Sequence, residues 1–234
     1  MVLAACASLL AGCGSSKASS QKLASSHLDG ATAAQFVSIR LGDLPAGFRS
    51  RAATAQASSL DASQTLAEYH CEELAPPSQK ATVTESTPDY TNSTGTTELH
   101  ETTAVFPTDV AASARLVLDR DSRYPSCKAA AFRSSLVASA PRGSRVGSVS
   151  VSLRDLPASL GDTGVEVAGI CQVELPGGVS EVATADLVVL VREHFVVELA
   201  VDTDGPDLGS LLARLTTDLA HRLSQVLPEP APRH

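Results

Sequence analysis

The chain has no tryptophan and few other aromatic residues, with three Tyr and five Phe among 234 residues. Its hydrophobic share of 43% is nevertheless ordinary for a folded protein. The core must therefore be built mainly from valine, leucine and alanine. The length suits one domain with a tail rather than two full domains.

Positive charge is also scarce, since 18 Lys and Arg stand against 26 Asp and Glu, for a net charge of −8. Phosphate binding needs a basic patch, so this balance argues against nucleic acid as a partner. The same deficit argues against a purely electrostatic attachment to anionic lipid. Any attachment to a membrane must come from a covalent lipid or a hydrophobic segment.

The sequence lacks the local motifs that usually accompany catalysis or cofactor binding. It contains no Gly-x-Ser-x-Gly elbow and no phosphate-binding or dinucleotide-binding glycine pattern. Its five cysteines form no Cys-x-x-Cys pair and have no nearby histidine pair at zinc-ligand spacing. We therefore predict no catalytic residues, no metal site and no cofactor, and the sequence assigns no ligand-binding residue.

A short apolar stretch runs from Val2 to Ala11. At about ten residues it is too short for the roughly 20 needed to span hydrocarbon, but it has the length of a signal-peptide core. The sequence Leu10-Ala11-Gly12-Cys13 closes it and resembles the bacterial lipobox. The resemblance implies that residues 1–12 are a lipoprotein signal peptide. Cys13 then becomes the first mature residue and carries acyl chains such as palmitate.

Serine-rich polar sequence follows Cys13 and is typical of a flexible linker. We predict a linker over residues 13–30, a single extracytoplasmic domain over 31–227 and a disordered tail over 228–234. Two or more acyl chains, at about 0.8 kcal/mol per CH₂, make anchoring stable. The expected location is the extracytoplasmic face of a cell membrane, with the membrane as a partner through Cys13.

The first half of the domain has mainly helical patterns. Short helices are predicted for 31–41 and 66–74, and a strand for 98–106. A longer helix is predicted for 109–121. Its expected apolar face consists of Val110, Ala114, Val117 and Leu118.

The second half is rich in β-branched residues and ends in an amphipathic helix. Strands at 145–153, 165–175, 179–191 and 195–201, joined by short turns, predict an antiparallel meander. A helix is predicted for 208–227. Its apolar stripe consists of Leu208, Leu211, Leu212, Leu215, Leu219, Leu223 and Val226. The predicted fold is α+β, with helices packed on one face of the sheet.

The sequence Asp43-Leu44-Pro45-Ala46-Gly47-Phe48 follows the first short helix. With the later order of cysteines, meander and final helix, it resembles a group of actinobacterial cell-envelope proteins. That group includes lipoproteins and the PknH-like extracellular sensor domain of some Ser/Thr kinases. The resemblance implies a non-catalytic, sensor-like domain that binds a small molecule, a lipid or an envelope protein. The alternative is a cell-envelope hydrolase with dispersed catalytic residues.

The domain contains three cysteines, Cys71, Cys127 and Cys171, so three single pairings are possible. Export would place them where thiols oxidise. A Cys71–Cys127 disulfide is favoured because both residues end helical segments beside proline breaks, and the family resemblance points to the same pair. Cys171 lies within a predicted strand, where a thiol is usually a buried core group. The competing Cys127–Cys171 pair would leave Cys71 free near His70.

The remaining polar candidates have simpler explanations than chemistry. His70 precedes two glutamates on a predicted helix, while His100 and His194 lie in or beside strands, so solvated faces account for all three. Residues 202–207 begin like a calcium loop, but Ala213 stands where the twelfth-position Glu is needed. A strand-to-helix turn is favoured there, with Asp204 or Asp207 capping the last helix.

Overall fold

The computed structural model describes residues 28–51, 74, 80–161, 163–204 and 208–227. Within these ranges the helices are α1 (Gly30–Val37), α2 (Asp109–Asp119), α3 (Tyr124–Ser139) and α4 (Gly209–Val226). The strands are β1 (Arg49–Arg51), β2 (Val83–Ser86), β3 (Asp89–Thr91), β4 (Thr97–Val105), β5 (Arg145–Asp155), β6 (Thr163–Glu174), β7 (Ser180–Arg192) and β8 (Phe195–Asp204). The predicted signal peptide, the helix at 66–74 apart from Leu74, and the tail lie outside the described residues.

The eight described strands form one antiparallel sheet in the order β1-β3-β4-β8-β7-β6-β5, with β2 also paired to β4. Strands β5 to β8 are consecutive neighbours, which confirms the predicted meander. The turn between β6 and β7 contains Gly177 and Gly178 at φ 99 and 81, a conformation that glycine adopts without steric cost. Pairing of β8 with β4 joins the two halves of the chain.

Helices cover both faces of this sheet. Side chains alternate along β8 between the faces. Val197 and Leu199 belong to a cluster with α1 and α4, whereas Val196 packs with α2. We call the side of α1 and α4 the front face and the side of α2 and α3 the back face. The predicted α+β antiparallel fold with a C-terminal helix is confirmed. The prediction that the helices pack on one face only was wrong. Periodicity shows that a helix is amphipathic, but it does not show on which face of the sheet the helix packs.

The apolar stripe of α4 packs on the front face as predicted. Five leucines of the stripe are buried in the main core cluster, and Leu208 and Val226 pack against its margin. The buried leucines are Leu211, Leu212, Leu215, Leu219 and Leu223. No helix within the described ranges is both long and apolar enough to cross a membrane.

Helix α2 packs through a different face from the predicted one. Val110 and Val117 are 79% and 71% exposed. The helix instead buries Ala111, Ala112, Arg115 and Leu116. Arg115 belongs to the interface because its Nε donates to Glu198 of β8 at 2.6 Å. A hydrophobic pattern cannot identify a contact face that contains a paired arginine and small alanines.

Candidate functional site

The residues named as sites from the sequence lie far apart in the chain, and several are outside the described part. Cys13, Cys71 and His70 belong to that undescribed part. Cys127 lies in α3 and is disulfide-bonded. Cys171 in β6 is a free, buried thiol, as its strand position predicted. The alternative Cys127–Cys171 pairing is therefore wrong.

A chain of hydrogen bonds joins β3, β4 and β2 on the back face. His100 Nδ1 lies 3.1 Å from Asp89 Oδ1, and His100 Nε2 lies 3.1 Å from Thr102 Oγ1. Thr102 Oγ1 in turn lies 3.1 Å from Ser86 Oγ. Sequence reasoning missed this chain because Asp89 and His100 meet only through the register of β3 and β4. His100 was expected to be a solvated strand residue, but it is partly buried and has two side-chain partners.

The order Asp89, His100, Thr102 is that of a hydrolase triad. A nucleophile must, however, reach its substrate, and Thr102 is only 4% exposed. Its hydroxyl is also shared with Ser86 Oγ. The geometry therefore fits a connection between three strands better than a catalytic centre.

A second polar group lies on the back face where β4 pairs with β8, and we call it the acidic recess. It consists of Glu98, Asp202, Asp204 and Lys128. Glu98 and Asp202 are direct cross-strand partners on the back face. Asp202 is exposed to solvent, yet burial by surrounding protein raises its pKa to about 6, with Glu98 and Asp204 adding to the rise and Lys128 opposing it.

The charges in the recess are incompletely balanced. Like charges directly opposite each other on neighbouring strands are destabilising. Arg51 relieves part of this repulsion by pairing with Glu98, and it lies 3.7 Å from Asp89. Asp202 forms no hydrogen bond or ion pair with any side chain in the described part of the molecule. Its neighbour on β7 is Ala185, whose side chain offers no partner to the carboxylate.

The region predicted to be a strand-to-helix turn is partly described. Asp202 and Asp204 belong to β8, and Asp207 lies outside the described residues. Helix α4 has Leu208 at its N-cap, without a side-chain capping bond, so Asp204 does not cap it. Within the described ranges, no three His, Cys, Asp or Glu side chains are grouped for metal binding.

No protein-family model matches the chain, and no curated protein matches it either. Among solved structures, the chain is similar to the extracellular domain of PknH from Mycobacterium tuberculosis. The identity is 10% and the TM-score 0.41, over 76% of this chain and 81% of that chain. The sequence resembles the same group of domains. A structural likeness of this size carries no functional argument, so function must be argued from the residues.

Proposed function

We propose that the protein is an extracytoplasmic lipoprotein whose folded domain binds a ligand and is not an enzyme. The observation that supports binding is Asp202, an exposed carboxylate that lies opposite Glu98 and has no side-chain partner among the described residues. Such an arrangement costs folding free energy, and groups of this kind are concentrated at functional sites. A ligand that compensates the charge would remove that cost.

The chemistry of the recess favours a cationic ligand. Among the described residues its three carboxylates outnumber the two cations beside them, Lys128 and Arg51, so an amine or guanidinium is the complementary group. Displacement of water around Asp202 would strengthen the contact, since electrostatic interactions are stronger at low local dielectric. The ligand would be a small cationic molecule or a basic segment of an envelope protein.

Binding of a polyamine should depend on Asp202 and on pH. With spermidine as the probe, we expect affinity to rise about tenfold from pH 5 to pH 7, because the pKa of Asp202 is about 6 and the cation prefers the ionised form. Asp202→Asn should weaken binding at pH 7 about tenfold and remove most of the pH dependence. Isothermal titration calorimetry measures both.

Asp186→Asn is the matched control for this experiment. It removes the same charge from β7, but Asp186 lies opposite Val201 and so on the front face. Its affinity and pH dependence should match those of the wild type. Absence of spermidine binding, or equal binding by wild type and Asp202→Asn, would remove the support for a cation site.

The anchoring part of the proposal is supported by the lipobox-like Leu10-Ala11-Gly12-Cys13 and the serine-rich sequence behind it. Cys13→Ala should shift the protein from the membrane fraction to the soluble fraction, because Leu10-Ala11-Gly12 is then no longer followed by the thiol that carries the lipid. Cys6→Ala is the control, since Leu3-Ala4-Ala5-Cys6 fits the lipobox only loosely, and it should leave anchoring intact. Intact-mass analysis decides: a wild-type membrane form without acyl mass would contradict the proposal.

Hydrolysis is the second candidate function, and the specific observation in its favour is the Asp89–His100–Thr102 chain. Because the Thr102 hydroxyl is buried, hydrolysis is a weaker candidate function than ligand binding. If the wild type hydrolyses p-nitrophenyl acetate and Thr102→Ala abolishes this activity, hydrolysis becomes the favoured function.

A further inference from the structure

Glu101 is a fully buried carboxyl group in the centre of the fold. It lies on the front face of β4, opposite Leu199 of β8, and is 0% exposed. Its Oε2 accepts a hydrogen bond from Ile39 N at 3.1 Å, and its Oε1 accepts one from Thr103 Oγ1 at 2.5 Å. Neither the binding site nor the predicted anchor uses this group.

The hydrogen bond to Ile39 attaches the segment that follows α1. Two further side chains hold the same segment: Tyr90 Oη donates to Ile39 O at 3.1 Å, and Arg222 Nη1 donates to Ser38 O at 2.7 Å. Three side chains from β3, β4 and α4 therefore converge on residues 38 and 39. Of these, Glu101 alone has no solvent-exposed surface.

We propose that Glu101 is a proton-controlled latch: its neutral carboxyl holds α1 and the Ser38–Ile39 segment on the sheet, and its ionisation favours their release. We call residues 28–51, which include α1 and the Ser38–Ile39 segment, the cover of Glu101. Its last described element is β1, a three-residue exposed strand that stands at one end of the described sheet. Release of this cover would bring water to the carboxylate without breaking the pairing of β4 with β8.

The surrounding charges do not neutralise an ionised Glu101. Helix α1 contributes no charged residue, and Glu85 of β2 lies on the same face, opposite Thr103. The guanidinium of Arg222 is the cation nearby, but its Nη2 already lies 2.7 Å from Asp43. Tyr90 is neutral in this range, because burial and the neighbouring carboxylates raise its pKa.

The direction of the pH effect follows from these contacts. Burial raises the pKa of Glu101 from 4.5 to about 7, although hydrogen bonds from Thr103, Ile39 and Ser38 and the charge of Arg222 oppose the rise. In the released state the group returns to its ordinary pKa. The docked state is therefore fully favoured below pH 4.5 and loses stability as pH rises through 7. Between pH 6 and pH 8 the released population should rise about tenfold.

Hydrogen exchange of the full chain, corrected for intrinsic rates, tests the latch. From pH 6 to pH 8 the protection of α1 and of the Ile39 amide should fall about tenfold, while β6 and β7 stay protected. In Glu101→Gln, α1 and the Ile39 amide should be equally protected at both pH values, because the side chain cannot ionise. Glu85→Gln, which removes a carboxylate from the same face, should behave as the wild type.

Two results would overturn the latch: equal protection of the Ile39 amide at both pH values, or a uniform loss of protection across the sheet. If Glu101→Gln does not fold, ¹³C NMR of the wild-type carboxyl replaces it. A titration midpoint near 7 supports the latch, and one below 5 excludes it. The outcome is independent of acylation at Cys13 and of ligand binding at Asp202.

Discussion

Leu215→Asp is expected to prevent the domain from folding. Leu215 is 0% exposed and lies in the main core cluster between α4 and the sheet. The substitution loses about 2–5 kcal/mol of packing and adds several kcal/mol for a buried, unpaired charge. Because a domain of this size is stable by only about 5–15 kcal/mol, the sum exceeds or nearly exceeds the whole stability.

Circular dichroism during urea unfolding measures this effect. The control is Ala213→Asp, which places the same charge on an exposed position of α4 and should change the stability by less than about 1 kcal/mol. A wild-type unfolding midpoint for Leu215→Asp would show that α4 does not pack on the sheet through its leucine stripe.

Loss of the Cys127 disulfide is expected to have the second largest effect on stability. Cys127 is disulfide-bonded and packs beside Leu74 and Tyr124. We propose Cys71 as its partner, which closes a loop of about 55 residues. Chain entropy then predicts that Cys127→Ser lowers the free energy of unfolding by about 4 kcal/mol, and that Cys71→Ser has the same effect.

Cys171→Ala is the matched control, because it removes a free thiol and should cost no more than about 1 kcal/mol. Non-reducing peptide mapping identifies the pair directly. A linked Cys71–Cys127 peptide, with Cys171 alkylated only after unfolding, is the expected result. A Cys127 peptide linked to Cys6 or Cys13 would exclude the proposed pair.

The two longest amphipathic patterns, those of α2 and α4, show when hydrophobic periodicity predicts the buried face of a helix and when it does not. In α4 the apolar residues are large and all on one stripe, so pattern and burial agree. In α2 the interface is formed by two alanines, a leucine and the paired Arg115, whereas the exposed positions include two valines. Hydrophobicity ranks valine above arginine, so the pattern selects the wrong face when an ion pair forms the contact.

The candidate sites could not be predicted because each depends on strand register. Glu98 and Asp202 are about 100 residues apart in the chain and meet only where β4 pairs with β8. Asp89 and His100 meet through the pairing of β3 with β4. Glu101 is likewise one of several polar residues in a threonine-rich strand, and nothing in its local sequence distinguishes it from the solvated Glu98.

In the first half of the domain the sequence predicted only one of the four described strands, β4. In the second half it determined by itself the kinds of element and their order: the meander of β5 to β8, the glycine turn between β6 and β7, and the amphipathic α4. These follow from periodicity and turn chemistry, which act over a few residues. Only the tertiary structure decided which strands pair across the two halves and which face each helix covers. It also decided which carboxylates are exposed, paired or buried. Those outcomes depend on contacts between distant residues, and a local pattern carries no information about its partner.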